Sequence, residues 1–245
     1  MDLMAYHQKI IFLDAPTTNI DTDGNTTHSF SYSLPAGTVN RLVILCLCVI
    51  DNTISATFLP GASFNGSAMV NVTSAQNNDA ADDSGSVIKA YSPVNLAAGS
   101  YTVSITYGAN VDVSQAVIFT LDNVDHTVAG SGSPTHGGEI STPSTDADSG
   151  TGTSFASIDI TTSVDRTVVI QAAGIQANTT ITPTGGQTVL FNQAIGAGVN
   201  CGFVAYKEFE TPGLVGFTMD ATFSSADWAN CAVAIKPYRR RSHAG

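Results

Sequence analysis

Five histidines, His7, His28, His126, His136 and His243, are the first side chains in this chain that could move a proton or hold a metal. Either task needs a carboxylate or a second ligand close by. The five are scattered in or beside polar turns and read as surface residues. His126 and His136 share one stretch with Glu139, and a metal held between subunits is the sharper reading of those three. The acids gather in loops: Asp21 with Asp23, Asp79 with Asp82 and Asp83, Asp146 with Asp148. Pairs at such spacings can ligate Ca²⁺ together with backbone carbonyls, although the EF-hand pattern is missing. Solvated loops are the plain reading and a loop calcium the alternative.

Nucleophilic chemistry has no foothold. No Gly-x-Ser-x-Gly elbow joins a strand to a helix. Ser131 sits in Gly130-Ser131-Gly132, inside a polar stretch with no helix after it. Neither a Walker A loop nor a dinucleotide fingerprint occurs. A glycosidase needs two convergent carboxylates, and no pair stands out. The chain therefore reads as a non-enzyme, and no catalytic, cofactor-binding or metal-binding residue is nominated.

The four cysteines, Cys46, Cys48, Cys201 and Cys231, all lie in apolar runs. Cys46 and Cys48 face the same side of one strand, poorly placed to bridge each other. Buried free thiols are expected. A Cys201–Cys231 or Cys46–Cys231 bridge stays open. Trp228, the single tryptophan, begins an apolar run and reads as a core anchor rather than a sugar platform. Tyr91 and Tyr206 fall at matching places in a repeat described below, which makes them structural. Tyr101 and Tyr107 share a strand face and could be exposed.

The elements that carry these residues are strands. Hydrophobic residues make up 43% and charged residues 12%, so the polar surface must come from Ser, Thr, Asn and Gly. Disorder is excluded, since it requires low hydrophobicity and high charge. The net charge of −11 argues against nucleic-acid binding, which needs a basic patch. The one basic cluster, Arg239-Arg240-Arg241, reads as a solvated end or a tether to an acidic partner. No run approaches the roughly 20 apolar residues of a membrane helix. No secretory signal is visible near Met1, which points to assembly in a host cytoplasm.

Period-2 and continuous apolar runs bounded by Gly, Pro, Asn and Asp predict strands at His28–Leu34, Arg41–Ile50, Ile54–Leu59, Met69–Thr73, Ser86–Ser92, Gly99–Tyr107 and Gln115–Asp122. Further along they predict Ser154–Thr161, Arg166–Gly174, Thr179–Pro183, Thr188–Asn192, Gly202–Phe209, Gly213–Ala221 and Trp228–Lys236. No window carries a helical stripe. Residues 28–125 and 154–237 repeat one another in order. Asn40-Arg41-Leu42-Val43-Ile44 matches Asp165-Arg166-Thr167-Val168-Val169, and Ile88-Lys89-Ala90-Tyr91 matches Phe203-Val204-Ala205-Tyr206. Val113 to Ile118 matches Trp228 to Val233.

The fold expected is all-β, a jelly-roll-like β-sandwich made from two related halves, because one half has few strands to cover a core and two halves supply facing sheets. Two tandem jelly rolls fit the same pattern. The organisation is an N-terminal arm (1–25), a first half (26–125), a polar connector (126–153), a second half (154–238) and a basic tail (239–245). Ser74 to Gly85 reads as a further polar excursion.

Several stretches resemble a loose group of β-sandwich proteins found among phage structural proteins and bacterial surface proteins. They are Arg41-Leu42-Val43-Ile44, Phe64-Asn65-Gly66-Ser67-Ala68-Met69, Gly99 to Ile105, Ala116 to Asp125 and the ending Ser224 to Pro237. The resemblance spans about residues 28–237, implies a jelly-roll sandwich and brings no catalytic residues. Surface members follow a secretion signal, so its absence here favours the phage side. The expected function is a phage virion structural protein, a capsid decoration, cement or minor capsid protein. Its partners would be other capsid proteins and copies of itself, most plausibly as a trimer, with no nucleic acid and no membrane. A carbohydrate-binding or adhesion module, including a receptor-binding protein, is the alternative. An exposed aromatic row or a calcium loop would mark it.

Overall fold

The computed structural model describes residues 6–38, 40–51, 60–78, 83–93, 96–125, 145–153, 158–177, 181–195, 200–217, 219–220 and 226–240. Every regular element among them is a β-strand. The arm carries β1 (Tyr6–His7), β2 (Ile11–Phe12) and β3 (Thr17–Asp21). The first half carries β4 (Thr27–Leu34), β5 (Leu42–Asp51), β6 (Gly61–Phe64), β7 (Ser67–Ala68), β8 (Val70–Asn78), β9 (Asp83–Tyr91), β10 (Gly99–Thr106) and β11 (Val113–Asp122). Then come β12 (Thr145–Gly152), β13 (Ile158–Thr162), β14 (Thr167–Ile175), β15 (Thr182–Pro183), β16 (Thr188–Ile195), β17 (Asn200–Phe209), β18 (Gly213–Phe217), β19 (Met219–Asp220), β20 (Ala226–Ile235) and β21 (Arg239–Arg240). The expected strand Ile54–Leu59 lies outside the described residues.

Two sequence patterns assign these strands to two kinds of layer. β4 alternates exposed and inward residues along its length, and so does β13, as strands with one wet face must. β5, β11, β14 and β20 are buried at every position. Their continuous apolar runs mark strands covered on both faces. The topology explains the coverage. In the first half an outer sheet, β4-β10-β6-β7, lies over a large sheet, β11-β5-β9-β8. In the second half the large sheet is β12-β20-β14-β17-β16, and its outer layer is two ribbons, β13-β18 and β15-β19. Every pairing is antiparallel. The strand order of the large sheets is the same in both halves, so each half is a jelly roll of the same design.

The two large sheets face each other, giving four layers. Leu42, Ile44, Cys46, Ile88, Val117, Phe119 and Leu121 from one meet Val168, Ile170, Val204, Cys231, Val233 and Ile235 from the other. Each such aliphatic or aromatic side chain removed from water stabilises by about 1.5–3 kcal/mol. The alternate residues of the same strands fill each half's own core: Val43, Leu45, Leu47 and Ile118 in the first, Ala173, Ile175, Phe203 and Trp228 in the second. The halves do supply facing sheets, and each also closes a sandwich of its own.

The arm is the first half's missing strand. β3 pairs with β11, from Asp21 opposite Ser114 to Thr17 opposite Ile118. β12 holds the same place against β20, from Thr145 opposite Val233 to Gly152 opposite Ala226. The sequence had placed Thr145–Gly152 within a polar connector. Its Asp, Ser and Gly residues hide a strand because an edge strand is held by backbone pairing and tolerates polar side chains. Gly150 packs closely there: a Cβ at that position would stand 3.1 Å from the Trp228 ring, a tight contact. Residues 126–144, with His126, His136 and Glu139, lie outside the described residues. The polar excursion from Ser74 is a continuation of the β8-β9 ladder to Asn78 opposite Asp83, with 79–82 outside the described residues.

The repeat also slips by one residue between the halves. Tyr91 sits opposite Val43 and packs into the first core, 3% exposed. Tyr206 sits opposite Ile170 and faces the seam between the halves. A one-residue shift turns a strand's side chains to the other face. Arg166 just before β14 adopts a left-handed backbone, φ 58°, which the matching Arg41 does not.

Candidate functional site: the seam and the arm that closes it

The seam has two unlike ends. At one end the backbones themselves approach. A Cβ on Gly174 would stand 2.9 Å from the Gly85 carbonyl oxygen, and one on Gly202 would stand 1.5 Å from Gln115 Oε1. Cys48 donates its thiol hydrogen to the Ala173 carbonyl at 3.0 Å. A side chain at Gly174 would push against the facing backbone, and one at Gly202 would displace the buried Gln115 side chain.

The other end is thick and apolar, and the arm seals it. Phe12 wedges between Phe119 of the first half and Tyr206 of the second, with ring centroids 5.4 and 4.3 Å away. On the first-half side, Asp14 accepts from the Thr120 amide at 2.8 Å and the Tyr32 hydroxyl at 2.5 Å. Burial pushes the Asp14 carboxyl above its usual pKa, opposed by those two hydrogen bonds. On the second-half side, Lys9 meets Glu208 at 2.7 Å and His7 meets Asp165. The hydrogen bond and charge of Glu208 raise the Lys9 ammonium above its usual pKa. Arg166 donates to the His7 carbonyl at 3.4 Å. The chain's last described residues join in: β1 pairs with β21, Gln8 donates to the Tyr238 carbonyl, and Val124 bridges Pro237. The arm is thus fastened to both halves, and Arg239 and Arg240 belong to a strand rather than to a solvated tail.

The described histidines and loop acids do not gather. Asp21 accepts from the Asp23 amide at 3.0 Å and lies 3.2 Å from His28 Nδ1, while His28 bonds Asn19 through its other nitrogen. That carboxylate serves the turn between arm and body. Among the described residues no group of three His, Cys, Asp or Glu gathers as a metal would require. Asp146 and Asp148 fall on β12, and Asp79 and Asp82 lie outside the described residues.

Cys46, Cys48 and Cys231 are buried thiols. Burial raises Cys46 well above the usual thiol range and Cys231 to about 12. Nucleophilicity resides in the thiolate, so neither reacts readily. Trp228 is 5% exposed inside the second core. Tyr101 and Tyr107, whose shared face the sequence left open to solvent or core, point inward. Tyr107 is 4% exposed with its hydroxyl on Ser114 at 2.5 Å, and Tyr101 packs beside Phe64. The reason is the alternation on β10, whose outer positions are Ser100, Thr102, Ser104 and Thr106.

That outer face was not anticipated. In register, Ser33, Ser31, Ser29 and Thr27 of β4 stand beside Ser100, Thr102, Ser104 and Thr106 of β10. Ser29 bonds Ser104 at 2.9 Å and Ser31 bonds Ser100 at 2.8 Å. The Ser/Thr alternation is visible in the sequence, but only the pairing shows that two such rows align.

No protein-family model matches the chain, and no curated protein matches it. Among solved structures it is similar to the STIV major capsid protein, at 11% identity and a TM-score of 0.26, over 92% of this chain and 98% of that one. A chain from the atomic structure of Sulfolobus Turreted Icosahedral Virus is similar at 9% identity and a TM-score of 0.25, over 92% of each chain.

Proposed function

We propose that this chain is a structural protein of a phage particle, acting through protein–protein contacts as a capsid decoration, cement or minor capsid protein. The observation that carries this reading is the locked double sandwich. Two jelly rolls share one apolar seam, and an arm fastened to both closes it. Such a block holds its shape under load, and its outer sheets and edge strands β4 and β16 are turned outward for neighbours. Its place would be the virion, with other capsid proteins and its own copies as partners.

The test is mass spectrometry of gradient-purified particles from the source culture. Many copies per particle support the reading, and the copy number separates a coat component from a fibre. Absence from particles together with recovery in an envelope or secreted fraction overturns it and leaves an adhesin or glycan-binding module to be tested.

A further inference from the structure

We infer that two copies of this chain join edge to edge through β16, antiparallel and about a twofold axis, so that the two five-stranded sheets run on as one of ten. A strand at the edge of a sheet presents unpaired N–H and C=O groups, and chains guard such edges with charge, proline, shortness or cover. Among the described residues the two large sheets have four edges, and three carry such a guard. At the arm edge β2 and β3 are two and five residues long, and Pro16 stands just before β3. β12 carries Asp146 and Asp148. On β8 the Gln76 carbonyl accepts from the Ser149 hydroxyl and Asn77 Nδ2 donates to the Gly150 carbonyl, each at 2.9 Å, which stitches β8 to β12 across the seam. β16 is the exception. Its eight residues, Thr188–Ile195, include no Lys, Arg, Asp, Glu or Pro. No described strand lies on its outer side. Thr188, Val189 and Gln193 are exposed, Val189 at 40%. A bulge between Val189 and Phe191 bends the start of the strand, and from Phe191 opposite Val204 to Ile195 opposite Asn200 the ladder is regular. Gln193 is the centre of that regular run.

The occupant is a second copy for two reasons. An antiparallel edge is its own complement: turned about a twofold axis it meets itself, each residue facing the one equally far on the other side of Gln193. Charge selects the same contact. A net charge of −11 sets copies against each other wherever acids approach, whereas two β16 strands meet with no charge between them. The surroundings add apolar surface. Gln193 lies opposite Gly202, and Gly202 packs against Gln115, which is the partner of Ile20 on the arm. Ile20, 37% exposed, therefore lies beside β16 on this open side of the molecule.

The contact gives the structural-protein reading a partner and rests on that reading only for its setting in a particle. It is tested on the purified full chain by sedimentation velocity and hydrogen–deuterium exchange. A dimer is expected, at least as strong in about 500 mM NaCl as in about 20 mM, because salt screens the repulsion between copies and backbone pairing needs no charge. Amides in 188–195 should exchange at least about tenfold more slowly as the dimer forms. Gln193→Lys sets two ammonium groups against each other at the axis and should raise the dissociation constant at least about tenfold. Val70→Lys, at an exposed position on β8, should leave it unchanged. Circular dichroism and Trp228 fluorescence check that both variants fold. A monomer at every concentration overturns the contact, as do a trimer, exchange at 188–195 that ignores concentration, or a dimer indifferent to Gln193→Lys. Any of these leaves the virion reading to the particle measurement.

Discussion

The two halves share the design of their large sheets and differ in what lies outside them. The first half closes its sandwich with one continuous outer sheet over a single core, in which Tyr32, Phe64, Tyr91 and Tyr101 pack ring to ring. Among the described residues the outer layer of the second half is two ribbons, β13-β18 and β15-β19, and its core residues fall in two clusters. Ile181, Phe203 and Trp228 pack in one cluster, Ile158, Ile160 and Val169 in another. Gln171 and Asn230, fully buried on the same strands, bond side chain to side chain at 3.1 Å. A strand buried on both faces answers to two cores at once and has little freedom to vary. An outer sheet answers to one core only. The seam ties the two halves together.

The strongest way to break that comparison is a cavity at Phe64, which is fully buried. Phe64→Ala should cost about 3–5 kcal/mol. Trp228 is the single tryptophan and lies in the second core, so its fluorescence reports on the other half. With the seam coupling the halves, the urea midpoint seen by Trp228 should fall as far as the midpoint seen by circular dichroism. A Trp228 midpoint that stays in place would show two independent units.

The large sheets were legible because continuous apolar runs such as Leu42 to Ile50 admit only a strand covered on both sides. The repeat was legible for the same reason. The arm was legible only as an arm or added strand, without its place: Thr17–Asp21 is polar, and its pairing with β11 rests on backbone groups that carry no side-chain signature. β12 was hidden likewise. Tyr91 and Tyr206 were legible as structural residues, but not the faces they take, because sequence matching preserves order while a one-residue slip changes the face. The seam's glycines, Gly174 and Gly202, looked like any others until the opposing sheet was in place.

Alkaline pH should find the first half next. Tyr107 is raised to about 12, chiefly by burial. An unfolded tyrosine loses its proton near pH 10. A folded value above the unfolded one gives stability that is complete below pH 10 and is lost as pH rises to about 12. Two pKa units correspond to about 2–3 kcal/mol. Urea titrations from pH 9 to 12 should show that decline, and Tyr107→Phe should flatten it. An unchanged slope in Tyr107→Phe would assign the decline to other groups, Cys231 at the seam among them.

The buried Gln171–Asn230 pair, beside the two described clusters of the second half, sharpens the comparison from the other side. Asn230→Ala removes the acceptor of Gln171 Nε2 and leaves a buried donor unpaired, at about 1–3 kcal/mol. Replacing both residues, Gln171→Leu with Asn230→Leu, removes donor and acceptor together and should restore most of the loss. If the double variant is as unstable as the single one, shape rather than polarity limits that site. Thermal melts of the three proteins decide it.

The smallest effect belongs to the hydroxyl rows of β4 and β10, and its smallness is the point. Ser31 and Thr102 are exposed on the outer face of a sheet whose inner face does the packing. The corresponding outer strand of the second half, β13, carries Asp159 and Thr161 at its exposed positions, so the fold itself accepts charge there. Thr102→Lys should therefore change stability by no more than about 0.5 kcal/mol, the ordinary range for surface substitutions. The Ser29–Ser104 and Ser31–Ser100 hydrogen bonds are exposed and compete with water, so their loss adds little. A loss above about 1 kcal/mol in a urea titration would show that the aligned hydroxyls hold the outer sheet together.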